Sequence, residues 1–192
     1  MANTSAPFGL KPVRYRDGKP YLGQTNAYNC PASDATALFL GDPVQLAGSA
    51  AADGKATITR ATAAGGAYVL GVVQGFIFTD AMPTGKNRPA STNMTILVAD
   101  DPDLFFEAQE DSVGGNLAVT SVGLNIDLVA GTGSTFSGYS GFMLDTSTAA
   151  VTATLQCKIH GFSDEPSNEA PGTYGRYLVS INLHQLNNPT GI

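Results

Sequence analysis

Thr95-Ile96-Leu97-Val98-Ala99-Asp100-Asp101-Pro102-Asp103-Leu104-Phe105-Phe106-Glu107-Ala108-Gln109-Glu110-Asp111 lies in the middle of the 192-residue chain and decides how the rest is read. Apolar runs with β-branched and aromatic residues flank an Asp-Asp-Pro-Asp turn, so the stretch reads as two core strands joined by a tight connection. Six carboxylates stand between Asp100 and Asp111, with no Lys or Arg among them. They form either an acidic turn or a cation site, since Ca²⁺ takes several converging oxygens. Pro102 interrupts that convergence, no Asp-x-Asp-x-Asp-Gly spacing follows, and strand alternation sends Glu107 and Glu110 to opposite faces. An acidic connection facing a partner is therefore the first reading, and a bound cation the alternative.

Short apolar runs continue on both sides. Ala37-Leu38-Phe39-Leu40, the turn Gly41-Asp42-Pro43 and Val44-Gln45-Leu46-Ala47 read as strand, turn and strand. Asp53-Gly54 and the alternating Ala56-Thr57-Ile58-Thr59-Arg60 predict a hairpin with the strand before them. The apolar segment Ala67 to Phe78 carries Gly71 and Gly75, which disfavour a helix and predict a bulged strand crossing the core. Thr79 to Asn93 reads as a long basic contact loop, and Gly131 to Gly141 as an exposed loop or a flat contact. Asn116 to Thr120, Leu124 to Val129, Ala150 to His160 and Arg176 to Gln185 complete about ten strands, and the run 150–160 alternates most strictly. No stretch has helical periodicity, so the fold class is all-β: a jelly-roll-like sandwich or small β-barrel with an extended N-terminal arm.

That arm is residues 1–30, and residues 31–192 form a single β-rich domain. Pro7, Gly9, Pro12, Gly18, Pro20 and Gly23 break regular structure, yet Phe8, Tyr15, Tyr21 and Tyr28 are interleaved among them, unlike a disordered tail. Lys11, Arg14, Arg16 and Lys19 against Asp17 give the arm +3, which leaves −9 of the net −6 for the remainder. A basic arm and an acidic body are complementary. The candidate partner-contact residues are accordingly Phe8, Lys11, Arg14, Tyr15, Arg16, Lys19 and Tyr21 with Asp100, Asp101 and Asp103. The arm of one subunit, or of a neighbouring protein, is expected to run beside the acidic turn.

Charged residues are only 14% of the chain against a usual ~25%, as expected of a surface largely covered by contacts. Net negative charge gives no support to nucleic-acid binding. Cys30 and Cys157 are too few and too far apart for a disulfide framework or a Cys-x-x-Cys site, and read as reduced thiols. No stretch approaches the ~20 apolar residues of a membrane span, and the start lacks a signal-peptide pattern, so synthesis in the cytoplasm is expected. His160 and His184 are the only histidines, neither beside a Gly-x-Ser-x-Gly elbow, and Gly131-Thr132-Gly133 lacks the strand-to-helix setting of a phosphate loop. No catalytic residue, metal or cofactor is expected, and the chain is read as a non-enzyme.

The segments Ala37-Leu38-Phe39-Leu40-Gly41-Asp42-Pro43-Val44-Gln45-Leu46, Leu70-Gly71-Val72-Val73-Gln74-Gly75-Phe76, Val98 to Asp103, Phe106 to Asp111 and Val179-Ser180-Ile181-Asn182-Leu183-His184-Gln185 resemble a family of tailed-bacteriophage virion structural proteins. Asn3 to Pro12 resembles their opening too. The resemblance implies a capsid decoration, or cement, protein: a β-rich dimer or trimer on the capsid exterior that binds the major capsid protein and clamps adjacent capsomers. It implies neither nucleic-acid nor membrane binding. A phage tail or head-fibre β-module is the alternative. A carbohydrate-binding module ranks third, because the chain has no Trp for an aromatic platform.

Overall fold

The structure, a computed structural model, describes residues 3–78 and 84–188. Their strands are β1 (Lys11–Tyr15), β2 (Asn26–Cys30), β3 (Leu38–Phe39), β4 (Pro43–Ala50), β5 (Ala56–Arg60), β6 (Gly71–Ile77), β7 (Asn87–Arg88), β8 (Met94–Ala99), β9 (Leu104–Gln109), β10 (Asn125–Ile126), β11 (Leu128–Val129), β12 (Met143–Leu144), β13 (Cys157–Phe162) and β14 (Arg176–Ile181). Helical structure among the described residues is limited to three single 3-10 turns, at Val119–Ser121, Thr146–Thr148 and Gln185–Asn187. The all-β expectation holds.

Strands β2-β5-β4-β6-β8 close into a barrel, and β1-β9-β14-β13-β10 form a separate sheet. Two-residue ribbons, β3 with β7 and β11 with β12, complete the pairing. The central stretch contributes one strand to each large unit. β8 pairs with β2 and β6 in the barrel, whereas β9 pairs with β1 and β14 in the sheet. Asp100 to Asp103 is thus the corner at which the chain leaves the barrel. The tight connection between two core strands is present, but those strands are not partners.

Side-chain alternation explains how one corner serves two cores. Met94, Ile96 and Val98 point into the barrel with Cys30, Val44, Ile58, Leu70 and Val73. On β9, Leu104, Phe106 and Ala108 enter the second core, where Val179, Ile159 and Tyr177 of the sheet meet Val69, Val72 and Ala99 from the barrel wall. Cys30 and Cys157 are both buried, one in each core, and both are free thiols. β4 and β5 form the expected hairpin, and β6 carries the expected bulge, between Val73 and Gly75.

Three expectations are corrected. Residues 1–30 are not an arm set apart from a body, because β1 is a strand of the sheet and β2 a strand of the barrel. The approach is close: a Cβ on Gly9 (φ +73°) would lie 2.1 Å from the Gly41 carbonyl oxygen, and Leu10, fully buried, donates its N–H to that oxygen at 3.0 Å. Asn116 to Thr120 is not a strand but leads into a 3-10 turn, and the run from Ala150 becomes a strand only at Cys157. Gln156, placed outward by alternation, is fully buried. Its amide donates to the carbonyls of Thr62 and Ala67 and accepts from the N–H groups of Ala64 and Leu128, linking loops to one another. Residues 79–83 of the expected contact loop, and 189–192 of the expected tail, lie outside the described residues.

Candidate functional site

Each charge of the supposed arm finds its partner within the same chain. Lys11 Nζ lies 3.7 Å from Glu107 Oε2, Arg16 Nε lies 3.6 Å from Asp103 Oδ1, and Lys19 pairs with Asp17 at 2.6 Å. The Arg16 N–H also donates to the Asp103 carbonyl at 2.8 Å. The Arg14 guanidinium sits over the Phe105 ring, 5.1 Å from its centroid, and that of Arg176 over Phe8 at 5.9 Å. Tyr15 and Tyr21 pack half-buried against the sheet's core. Burial pushes the Tyr21 phenol up to about 12, with the neighbouring Tyr15 and Asp100 adding to the shift. Basic segment and acidic turn are adjacent, as the charge pattern suggested, but the neighbour is the chain's own body.

The acids divide by role. Asp100 is buried and accepts from Asn26 Nδ2 at 3.0 and 3.1 Å and from the Tyr28 hydroxyl at 2.5 Å, so it ties β2 to the corner and offers nothing to a partner. Its assignment as a contact residue is corrected accordingly. Asp101 accepts from the Asp103 N–H at 2.8 Å, closing the turn, and both side chains are exposed. Glu110 accepts from Leu117 N–H and Ser112 Oγ, and Asp111 from Val113 N–H and from Thr146 through both N–H and hydroxyl. Among the described residues, no three His, Cys, Asp or Glu converge as a group able to hold a metal ion.

The outer face of the five-stranded sheet was not legible as a unit. Period-2 alternation places Phe105 and Glu107 of β9, and Leu178 and Ser180 of β14, on this face. One register row runs Arg14, Phe105, Ser180, Lys158, and the next runs Lys11, Glu107, Leu178, Gly161. His160 stacks on Phe105 with ring centroids 4.3 Å apart, and its Nε2 is 2.9 Å from the Ser180 hydroxyl. Burial lowers the His160 pKa, and the charges of Lys158, Arg16 and Arg14 lower it further. A groove over this row is lined by Arg16, Phe105, Lys158, His160 and Ser180. The only sequence signal was the strict alternation of Lys158 and His160, which assigned one side of their strand to solvent or a partner.

A second candidate surface is the Gly131 to Gly141 loop. Gly138 and Ser140 hydrogen-bond Leu40 on either side, and Ser134 is bonded to Tyr139 and Gly138, so the loop is held in one shape. At its tip Phe136 is 87% exposed, with the Lys86 ammonium over its ring and bonded to its carbonyl at 2.6 Å.

Two buried titratable groups act on stability rather than on contact. Burial raises Asp42 to about 6, against hydrogen bonds from Ser140 and Phe39 and the charge of Arg60. Burial lowers His184 to about 4, against the charges of Asp100 and Asp101. Between about pH 4 and 6 the folded state holds the Asp42 proton that the unfolded chain releases, so stability falls as pH rises. His184 acts oppositely: the unfolded chain binds a proton below about 6.5 that the folded state refuses, so stability rises with pH from about 4 to 6.5. Asp42→Asn is therefore expected to leave the His184 slope unopposed, and urea midpoints between pH 4 and 6.5 should climb more steeply with pH than in the wild type. An unchanged slope would exclude the Asp42 contribution.

No protein-family model, no curated protein and no solved structure matches the chain.

Proposed function

We propose that the chain is a structural protein of a tailed-bacteriophage virion, not an enzyme: a decoration protein that binds the capsid exterior and cements adjacent capsomers. The observation that carries this reading is the Phe136 loop. A large aromatic side chain standing in solvent on a loop already fixed by hydrogen bonds is a pre-organised anchor, losing little conformational freedom on contact. Low charge density and the resemblance in the strand and turn segments support the same reading. Each copy would add modest contacts repeated around a shell, and stabilisation against internal pressure would come from their number. The major capsid protein would be its partner, the virion its location after synthesis in the host cytoplasm, and a dimer or trimer its state. A jelly-roll-like sandwich, as the finer description of the fold, belongs with this proposal.

Purified protein mixed with undecorated capsids and imaged by electron microscopy should add density to the exterior at a stoichiometry set by the lattice. Phe136→Ser should lower the affinity ~10-fold or more, as truncation of an interface anchor does. Bare capsids would overturn the reading. Rings formed without capsids would favour the tail or head-fibre module instead.

A further inference from the structure

The two ends of the sheet's outer face differ in the charge around them. At the first, Arg14, Arg16 and Lys158 gather around Phe105 and His160, while Asp103 pairs with Arg16 and Asp17 and Asp101 line the adjoining pocket beside it. At the second, Glu107 accepts from Ser163 Oγ at 2.8 Å, anchoring the loop whose exposed Asp164 and Glu165 rim a groove against Lys11, Val13 and Arg14. Lys11 is the ion-pair partner of Glu107, so the exposed loop acids give this end its negative sign. Val13, 39% exposed, adds an apolar surface to this groove.

A face that is positive at one end and negative at the other is complementary to itself after a half-turn about an axis that lies in the plane of the face and runs between its two ends. We infer that this face is a two-fold interface with a second copy of the chain, in which Asp164 and Glu165 of each copy meet Arg16 and Lys158 of the other. Isologous pairing uses the same patch twice, so each charge contact is made twice. The face, and not the adjoining sheet edge, is the available surface. Beyond β1 the edge is occupied by the chain itself: Tyr15 N–H donates to the Lys19 carbonyl, and Tyr21 N–H to the Val13 carbonyl. A polyanion such as nucleic acid fits less well, because the positive charge ends at an acidic loop and the chain as a whole is at −6. The inference rests on the homo-oligomeric part of the proposed function and not on its capsid part: a protein that dimerises but leaves capsids bare would remove the capsid and keep the interface.

Analytical ultracentrifugation of the full chain tests it. The wild type should show a concentration-dependent dimer whose dissociation constant rises ~10-fold or more between ~0.05 M and ~0.5 M salt. Arg16→Glu with Lys158→Glu should be monomeric, and so should Asp164→Lys with Glu165→Lys, because each variant faces itself with like charge. All four side chains are exposed, so folding is retained. Mixing the two variants should restore the dimer as a heterodimer, and the chain carrying all four substitutions should dimerise with itself. A wild type that is monomeric at low salt, variants as dimeric as the wild type, or a mixture that stays monomeric would each overturn the interface. Single-stranded DNA binding to a monomeric wild type, abolished by Arg16→Glu with Lys158→Glu, would assign the face to a polyanion instead.

Discussion

Arg88→Ala is expected to remove about 4 kcal/mol or more of stability, a large part of the ~5–15 kcal/mol available to a domain. Arg88 is fully buried, and its guanidinium donates to four backbone carbonyls: Thr92 from Nε at 2.7 Å, Thr36 from Nη1 at 2.5 Å, and Pro31 and Asp34 from Nη2 at 2.7 and 3.0 Å. The segment 31–36, which links β2 to β3, thereby closes over the barrel. Alanine would leave the Thr36 and Thr92 carbonyls without this donor, at about 1–3 kcal/mol for each unsatisfied group, and would strip a second, charged donor from the Pro31 and Asp34 carbonyls, which keep the N–H groups of Asp34 and Ser91. Burial opposes ionisation of the neighbouring Asp34, but hydrogen bonds from Thr59 and Thr36 and the Arg88 charge hold it below the usual carboxylate range, and that support would weaken too. Arg88→Lys keeps the charge but not the planar fork, so it should recover only part of the loss. Urea denaturation followed by circular dichroism measures both variants, and a midpoint equal to the wild type's for Arg88→Ala would refute the clamp.

Deletion of residues 1–22 should have the second large effect, and on the fold itself. It removes β1 from the sheet, takes the fully buried Leu10 out of the core at a cost of about 1.5–3 kcal/mol, and uncovers the ladder groups of β9. It also strips Lys11 from the buried Glu107 and Arg14 from Phe105. The truncated chain is expected to unfold at markedly lower urea and to aggregate through the bared edge. A truncated chain that does not aggregate and keeps an unchanged midpoint would show that these residues are an accessory arm after all.

What was legible in the sequence was local. The β4–β5 hairpin follows from Asp53-Gly54 and the alternation after it, and the β6 bulge from Gly75 within a β-branched run. The sheet change at Asp100 to Asp103 was not legible, because Val98 and Phe106 look equally apolar whether their strands pair with each other or with strands far away. Charge complementarity between residues 11–19 and the acidic turn was visible from composition, but nothing in it separates a neighbour's surface from the chain's own. Gln156 was placed outward, and Arg88 was counted only within the basic contact loop 79–93, for one reason: a polar side chain that satisfies many backbone groups can be buried, and hydropathy assigns it outward. The outer-face cluster was hidden because Arg14 and Lys158 meet only across β9 and β14.

The corner at Asp100 to Asp103 also bears on the order in which the molecule assembles. Tyr15 and Leu104 are register partners, yet the whole barrel is threaded between them. Their pairing closes a very long loop, and its entropic cost shrinks only once the intervening chain is already compact. The barrel, whose neighbouring strands are mostly close in sequence, should therefore form early. The β1–β9 seam should zip last, and it is the first place where the native protein would open to exchange its amide hydrogens with solvent.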